Sequence, residues 1–108
     1  MSTETSATMF EQVYDIILER KQNSPENSYV TSLMDKGTDS ILKKIGEESA
    51  EVILATKNEN RKEQIHEITD LWFHMLVLMG HQGISLKEIS QELEDRFGQS
   101  GFKEKAQR

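Results

Sequence analysis

The sequence predicts an all-α fold, a bundle of about five helices with a single core. Apolar side chains recur every three or four residues in successive segments, which is the period of a helix with one buried face. Residues that cap helices, chiefly Ser, Asn, Asp and Gly, separate these segments. No segment alternates apolar and polar residues like a half-buried strand. The 108 residues therefore predict one helical domain, residues 9–108, after a flexible, polar N-terminus, residues 1–8.

The first two helices are predicted on either side of the only proline. Thr8 and Glu11 match a capping box, which predicts that helix one begins at Thr8 and continues to about residue 23. Pro25 lies in a polar segment that interrupts the helical pattern. A short second helix is predicted for residues 28–34 and ends near Gly37.

Three longer helical segments follow. Asp39 is the predicted cap of helix three, and Asn60 is the predicted start of helix four, which ends near Gly83. Ser85 opens a second capping box and thus helix five, which ends at Gly98. These caps give each helix a defined start and end in the sequence.

Helix four is predicted to be apolar on nearly every side from Ile68 to Met79. A helix with this pattern needs to be buried all round, and four other short helices can hardly enclose it. We therefore expect a homodimer, in which the second subunit completes a core of the four-helix-bundle type. The alternative is a monomer with helix four at the centre of a tight bundle.

The composition argues against several classes of protein. A net charge of −6 argues against a general nucleic-acid binder, which needs a basic face. Without cysteine, a disulfide framework, a zinc–thiolate site and a cysteine nucleophile are excluded. The longest apolar stretch, residues 71–79, is too short to cross a bilayer, and the N-terminus lacks a signal-peptide pattern. We expect a cytoplasmic protein that binds neither nucleic acid nor membrane.

Two groups of carboxylates lie beside the predicted apolar stripes of helices three and four. At about 100° per residue, Glu48 falls in the middle of the stripe of helix three, with Glu51 one turn further on and Glu47 on the same side. Glu67 aligns with the stripe of helix four, and Asp70 follows one turn later. A tight turn between the two helices would bring these groups face to face.

Such an arrangement of carboxylates is costly without a counter-charge. Like charges one turn apart on a helix repel each other, and burying an ionised carboxylate carries a large desolvation cost. Mg²⁺ removes this conflict, because it prefers oxygen ligands and keeps water molecules for a phosphate-bearing substrate. The pattern predicts that these carboxylates bind a divalent cation and that the protein uses it to hydrolyse a nucleotide polyphosphate. The alternative is a solvated acidic face paired with nearby lysines.

The residues around these carboxylates resemble a known family. The segments 46–51 and 67–70 match the EExxE…ExxD signature of the all-α, MazG-like nucleoside-triphosphate pyrophosphohydrolases. Further similarity, to the phosphoribosyl-ATP pyrophosphohydrolases of histidine biosynthesis, lies in segments 19–21, 28–29, 36–37, 41–48, 70–74 and 96–108. The resemblance extends over residues 9–108, nearly the whole chain.

This resemblance implies an activity and a set of roles. The activity is hydrolysis of phosphoribosyl-ATP to phosphoribosyl-AMP and pyrophosphate by a homodimer, with Mg²⁺ as cofactor or Mn²⁺ as its substitute. By motif position, the implied metal ligands are Glu48, Glu51, Glu67 and Asp70. Glu47 supports the site or orients the attacking water, so Glu47 and Glu48 are the candidate catalytic residues.

Basic residues supply the candidates for binding the substrate phosphates, namely Arg20, Lys36, Lys43 and Lys44. Lys43 and Lys44 lie one turn before the acidic motif, close enough for one of them to reach a metal-bound phosphate. Exposed lysines on helices also occur without any role, so both interpretations stay open. His74 lies on the acidic face, where it is either a satisfied core histidine or a hydrogen-bond partner of a carboxylate.

Three other functions are compatible with carboxylates on a helical bundle. A house-cleaning pyrophosphohydrolase for non-standard dNTPs would share the metal site but not the flanking segments. A ferritin-like di-iron protein needs an ExxH motif from each of two helices, and only residues 63–66 fit it. A non-catalytic interaction module would carry the carboxylates as a polar patch and would not be stabilised by Mg²⁺.

Overall fold

The computed structural model describes the backbone of residues 2–98 and the side chains of residues 9–98. Between residues 2 and 98 the chain is helical and has no strand, which confirms the all-α prediction. The helices are α1 (Ser2–Asn23), α2 (Tyr29–Lys36), α3 (Thr38–Lys57), α4 (Arg61–Gln82) and α5 (Leu86–Phe97). None of these helices has the length and hydropathy needed to span a membrane. The predicted extension of the domain through residues 99–108 lies outside the described residues.

Side-chain caps begin three of the helices. Ser28, Asn60 and Ser85 precede α2, α4 and α5, and each side-chain oxygen accepts a hydrogen bond from the backbone N–H three residues later. The distances are 3.2, 3.1 and 3.1 Å respectively. Each bond satisfies one of the N–H groups that the first turn of a helix leaves without a partner. The predicted starts of these three helices are confirmed.

Two predicted caps are wrong. α1 begins at Ser2, so Thr8 lies inside the helix and is not its first capping residue. No Gly or Pro occurs between Ser2 and Thr8, and nothing in this segment therefore stops the helix. α3 begins at Thr38 after Gly37, which places Asp39 in the first turn. There its carboxylate acts on the positive end of the helix dipole rather than as a cap.

A three-residue connection, residues 58–60, joins α3 to α4. Its middle residue, Glu59, has a φ of 56°, a left-handed conformation that reverses the chain within a short distance. α3 and α4 make the most extensive contacts of any two helices. At the other end of α4, Gly83 closes the helix in the left-handed conformation, as predicted. The tight turn is what aligns the acidic segments of α3 and α4.

The core lies where α1, α2, α3 and α4 meet. Ile17, Ile41 and Val77 are fully buried at its centre. The other buried apolar residues of this cluster are Tyr14, Val30, Leu33, Leu76 and Met79. Gly80 allows α1 to approach α4 closely, because a Cβ at this position would lie 2.8 Å from Cγ2 of Ile17. The core thus fixes α4, the helix that carries Glu67 and Asp70, two of the four candidate metal ligands.

α5 differs from the other helices because none of its residues is buried. Ile89, Leu93 and Phe97 are all exposed, and α5 makes no extensive contact with α1–α4. An isolated amphipathic helix of 12 residues gains little stability until its apolar face is covered. Leu86, at the start of α5, packs partly buried against the four-helix core, whereas residues 87–97 lie outside it.

Candidate active site

The two acidic segments meet across the antiparallel pair α3 and α4. Glu48 of α3 is largely buried, with 13% of its side chain exposed, although it carries a carboxylate. Its Oε1 atom lies 2.6 Å from Nδ1 of His74 on α4. This contact joins residues 26 positions apart in the chain and closes one end of the acidic site.

His74 is buried and has hydrogen-bond partners on both ring nitrogens. Its Nδ1 faces Oε1 of Glu48 at 2.6 Å and the backbone oxygen of Asp70 at 3.0 Å. Its Nε2 lies 2.8 Å from the hydroxyl oxygen of Tyr29 on α2. Both interpretations of the sequence are therefore correct for His74, which is a satisfied core histidine and also the partner of a carboxylate.

Aromatic rings enclose this histidine. The rings of Phe73 and His74 meet edge to face, with centroids 5.2 Å apart and an interplanar angle of 75°. Tyr29 contacts His74 in the same manner at 5.7 Å and stacks on Phe73 at 6.3 Å. These arrangements are favourable for aromatic quadrupoles and restrict rotation of the imidazole.

Tyr29 lies among several charges of the candidate site. Tyr29 is 48% exposed, and the partial desolvation of its hydroxyl is the main cause that raises the pKa of this group, whereas Lys44 opposes the increase. Glu48, Asp70 and Glu47 raise this pKa further, because a phenolate would be repelled by their carboxylates. The hydroxyl therefore keeps its proton at neutral pH. The fold brings Glu47, Glu48, Asp70 and Lys44 into one electrostatic environment.

Glu67 occupies the second part of the acidic site. Desolvation is the main cause that raises the pKa of its carboxyl group. Nearby His66 lowers this pKa, whereas Glu51, Asp70 and Glu63 raise it. Negative charge thus accumulates between α3 and α4, close to the turn that joins them.

A cleft of about 230 Å³ lies at this end of the helix pair. It is lined by Glu51, Leu54, Ala55, Asn58, Asn60, Glu63 and Glu67. Glu51 and Glu67 therefore face one space, as the antiparallel geometry predicted. Asp70 is turned towards His66 instead, with its Oδ2 atom 3.3 Å from His66 Nε2.

The donor set fits a hard divalent cation in its chemistry. Every candidate ligand supplies carboxylate oxygens. A cation would relieve the repulsion from Glu51 and Asp70 that adds to desolvation in raising the pKa of Glu67. Within residues 9–98, no three His, Asp or Glu side chains are already spaced to hold an ion. Glu51 is exposed and the side chain of Asp70 is 40% exposed, so both carboxylates have room to rotate.

The candidate phosphate-binding residues are not all near this site. Lys44 contributes to the environment of Tyr29, and Lys43 precedes it on the exposed side of α3. Arg20 donates a hydrogen bond from Nη1 to Oγ of Ser28 at 3.4 Å. Lys36 lines a separate cleft together with the carboxylate-bearing Glu26 and Asp35. Of these four residues, Lys44 is the one that the fold brings to the acidic residues.

Tyr29 is the functional candidate that the sequence patterns did not single out. It occurs in the segment 28–29 that carries part of the family resemblance, but no helical spacing connects it to His74, 45 residues later. The signal that was available is its position directly after the Ser28 cap, which fixes the first turn of α2.

Comparison with known proteins agrees with the motifs. The family model described as phosphoribosyl-ATP pyrophosphohydrolase matches residues 10–97. A phosphoribosyl-ATP pyrophosphatase from Hydrogenovibrio crunogenus is 50% identical over 101 residues, which cover 90% of this chain and 89% of the relative. The protein of the same name from Vesicomyosocius okutanii is 56% identical over 93 residues, 86% of this chain and 89% of the relative.

A third relative shows the same similarity. The phosphoribosyl-ATP pyrophosphatase of Geobacter sulfurreducens is 51% identical over 100 residues, which are 93% of each chain. The aligned lengths are nearly equal, so the likeness concerns the whole domain rather than a shared motif. These findings confirm the resemblance inferred from the acidic signature and its flanking segments. The chain belongs to the phosphoribosyl-ATP pyrophosphohydrolase family.

Proposed function

We propose that this protein hydrolyses phosphoribosyl-ATP to phosphoribosyl-AMP and pyrophosphate, the second step of histidine biosynthesis. The observation that carries the proposal is the family match over residues 10–97, a range that contains every candidate metal ligand and phosphate-binding residue. The relatives that share about half of this sequence bear the name of that enzyme. Because the substrate is a soluble nucleotide, the proposal places the enzyme in the cytoplasm, with neither nucleic acid nor membrane as partner.

Mg²⁺ is the proposed cofactor, and Mn²⁺ is expected to substitute for it. The proposed ligands are Glu48, Glu51, Glu67 and Asp70, whose oxygens are of the type that Mg²⁺ prefers. Desolvation is the main cause that raises the pKa of Glu67, and the neighbouring carboxylates of Glu51 and Asp70, which raise it further, support this assignment. When bound, the ion neutralises phosphate oxygens and activates water for attack.

The chain itself contributes binding and orientation. Glu47, exposed beside Glu48 and close to Tyr29, is proposed to accept a hydrogen bond from the attacking water and align it. Lys44 is proposed to bind a phosphate oxygen of the substrate, with Lys43, Arg20 and Lys36 as weaker candidates. Water adds across the phosphoric anhydride bond and pyrophosphate leaves. No nucleophilic side chain is needed, because positioning and electrostatics supply most of the catalysis in phosphoryl transfer.

A homodimer is part of the proposal, and the exposed apolar surface of α1 and α4 supports it. Trp72 is 52% exposed and Phe10 is 40% exposed, although their rings contact each other at a centroid distance of 5.4 Å. Together with neighbouring apolar residues they line a groove of about 350 Å³. A contiguous exposed apolar surface of this type is more often an interaction site than a surface that stays in contact with solvent. A second copy of the chain is the proposed partner on this face.

The test is an assay of pyrophosphate release with phosphoribosyl-ATP and a panel of dNTPs, in Mg²⁺ or in EDTA. We expect rapid release from phosphoribosyl-ATP in Mg²⁺ alone. Preference for a dNTP would favour the house-cleaning function, and no release from any nucleotide would favour an interaction module. Glu48→Gln is expected to abolish release. Glu11→Gln, an exposed residue of α1, is the control and is expected to leave it unchanged.

A further inference from the structure

We propose that Tyr29 and His74 are positioning residues, which hold the carboxylate of Glu48 in a fixed orientation for the divalent cation. The chain of hydrogen bonds runs from the Tyr29 hydroxyl to Nε2 of His74, and from Nδ1 of His74 to Oε1 of Glu48. The inference rests on the proposed function, since it assumes that Glu48 is a metal ligand. It adds two residues that the acidic signature does not contain.

The position of the ring proton follows from the partners of Nδ1. This nitrogen lies 2.6 Å from Glu48 Oε1 and 3.0 Å from the backbone oxygen of Asp70. An ionised carboxylate and a carbonyl oxygen only accept hydrogen bonds, so Nδ1 carries the hydrogen and donates it. In the neutral ring Nε2 then has a free lone pair. The Tyr29 hydroxyl, 2.8 Å away, donates to that lone pair.

The chain of bonds joins three helices. Tyr29 is the first residue of α2, and the cap formed by Ser28 fixes the backbone on which it sits. His74 belongs to α4 and Glu48 to α3. The orientation of Glu48 therefore depends on the relative positions of three elements that the core holds together. Loss of the tyrosine hydroxyl leaves these elements intact and removes one bond at the far end.

The consequence for Glu48 is the loss of rotational freedom. One oxygen, Oε1, accepts the bond from His74, which leaves Oε2 for a cation. The bond is charge-assisted, and such bonds are shorter and stronger than neutral ones. Partners that orient a metal ligand affect metal affinity by about 10- to 100-fold when they are removed. Glu51, in contrast, is exposed.

A purely structural role for the same residues is the alternative. In that case, removal of the Tyr29 hydroxyl would lower thermal stability but would not change the affinity for a metal ion. Tyr14→Phe provides the matched control. It also removes a long-range hydrogen bond of a tyrosine hydroxyl, in this case from α1 to the backbone oxygen of Ile84 in the connection between α4 and α5.

The experiment measures Mn²⁺ binding to the metal-free protein by the EPR signal of the free ion, with Mg²⁺ as competitor. We expect His74→Leu to weaken binding by about 10- to 100-fold, the range for lost partners of metal ligands. Tyr29→Phe is expected to weaken it by about threefold to tenfold, since it acts one bond further away. His74→Asn keeps an N–H donor near the position of Nδ1 and is expected to lie between these values. Tyr14→Phe is expected to bind as the wild type does.

A second measurement reports on the proton directly. The ¹⁵N shifts of the His74 ring are expected to show hydrogen on Nδ1 in both the wild type and Tyr29→Phe, because both partners of Nδ1 remain. The Nε2 signal is expected to shift in Tyr29→Phe, because this nitrogen loses the hydroxyl that donates to it. Equal Mn²⁺ affinity in wild type, Tyr29→Phe and His74→Leu, together with weak binding by Glu48→Gln, overturns the positioning role alone. Undiminished binding by Glu48→Gln overturns the metal assignment itself. If His74→Leu does not fold, Tyr29→Phe decides the question.

Discussion

Two faces of α4 reverse the usual distribution of side chains, in which polar residues are exposed and apolar residues are buried. On one face, His74 is buried and Glu67 and Asp70 are partly buried. About 160° around the helix from His74, Trp72 is exposed, and Ile65 and Ile68 are exposed nearby. His74 is thus withdrawn from water and the two carboxylates are partly withdrawn, whereas large apolar groups are exposed to it.

This difference assigns a separate purpose to each face. Buried polar groups and exposed apolar patches are the informative exceptions in a folded chain, because each is unfavourable unless a partner compensates for it. On the acidic face, hydrogen bonds and a cation would supply the compensation. On the apolar face, a second subunit would supply it. The two faces should therefore respond independently to substitution.

The largest effect is expected on the acidic face. Asp70→Asn removes a charge from a proposed metal ligand, so pyrophosphate release from phosphoribosyl-ATP is expected to fall by about 100-fold or more. The oligomeric state, measured by light scattering, should not change. Ile68→Ala, two positions earlier on the apolar face, is the control for activity. Full activity of Asp70→Asn at low Mg²⁺ would contradict the metal assignment.

The next effect concerns the apolar face. Trp72→Lys places a charge in the surface proposed to bind a second copy, and aromatic residues at the centre of an interface commonly contribute about 2 kcal/mol or more. The dimer Kd is expected to rise by about 30-fold or more, as measured by analytical ultracentrifugation. Trp72→Phe is the matched control with the ring retained. A wild-type protein that stays monomeric at high concentration would refute this use of the face.

A third effect is expected where α1 and α4 approach each other between the two faces. Gly80→Ala would bring a Cβ within 2.8 Å of Ile17 Cγ2, and such overpacking costs about 1–3 kcal/mol in the free energy of unfolding. Gly46→Ala is the opposite case. Gly46 lies inside α3 with nothing within 4 Å of an added Cβ, and alanine favours a helix by about 1 kcal/mol. Urea unfolding of both variants should give shifts of opposite sign.

The smallest effect is the pH dependence of the metal-free protein. The pKa of Glu67 is raised in the folded state above the ordinary value of 4.5. The folded state therefore holds this proton more tightly, so the stabilisation is fully present below that value and is lost as pH rises through the raised pKa. In EDTA, Glu67→Gln should melt at a higher temperature than the wild type near pH 7, and the difference should shrink in acid.

Mg²⁺ is expected to reverse the order of these two melting temperatures. The ion binds the folded wild type and stabilises it, whereas Glu67→Gln has lost a proposed ligand. Glu11→Gln, outside the acidic site, should show neither the pH effect nor the loss of the Mg²⁺ response. A difference between wild type and Glu67→Gln that grows as the pH falls would show that the charge of Glu67 is not the cause.

The sequence was sufficient for the parts of the fold that depend on neighbouring residues. Ser28, Asn60 and Ser85 mark the starts of α2, α4 and α5, because a cap acts within three residues of its own position. The start of α1 was predicted wrongly, because the helix begins at Ser2 and continues through the capping pattern at Thr8. The exposure of α5 could not be predicted from its sequence pattern either, because an apolar stripe does not specify which surface covers it.

The sequence also predicted that the acidic residues of α3 and α4 face each other, and Glu51 and Glu67 do line one cleft. This was predictable because the spacing of three and four residues is a local property of a helix. Which carboxylates meet which partners was decided by tertiary structure. Glu48 pairs with His74, Asp70 with His66, and Tyr29 closes the bond chain from α2.

By itself, the sequence determined the number of helices, the caps that begin α2, α4 and α5, the acidic faces of α3 and α4 and membership of the family. Only the tertiary structure decided that the histidine on α4 orients a carboxylate on α3 with help from a tyrosine on α2. The physical reason is that periodicity fixes the direction of a side chain relative to its own helix axis. The distance between side chains on different helices depends on how the helices pack, and here that packing depends on the tight turn at Glu59 and the close approach at Gly80.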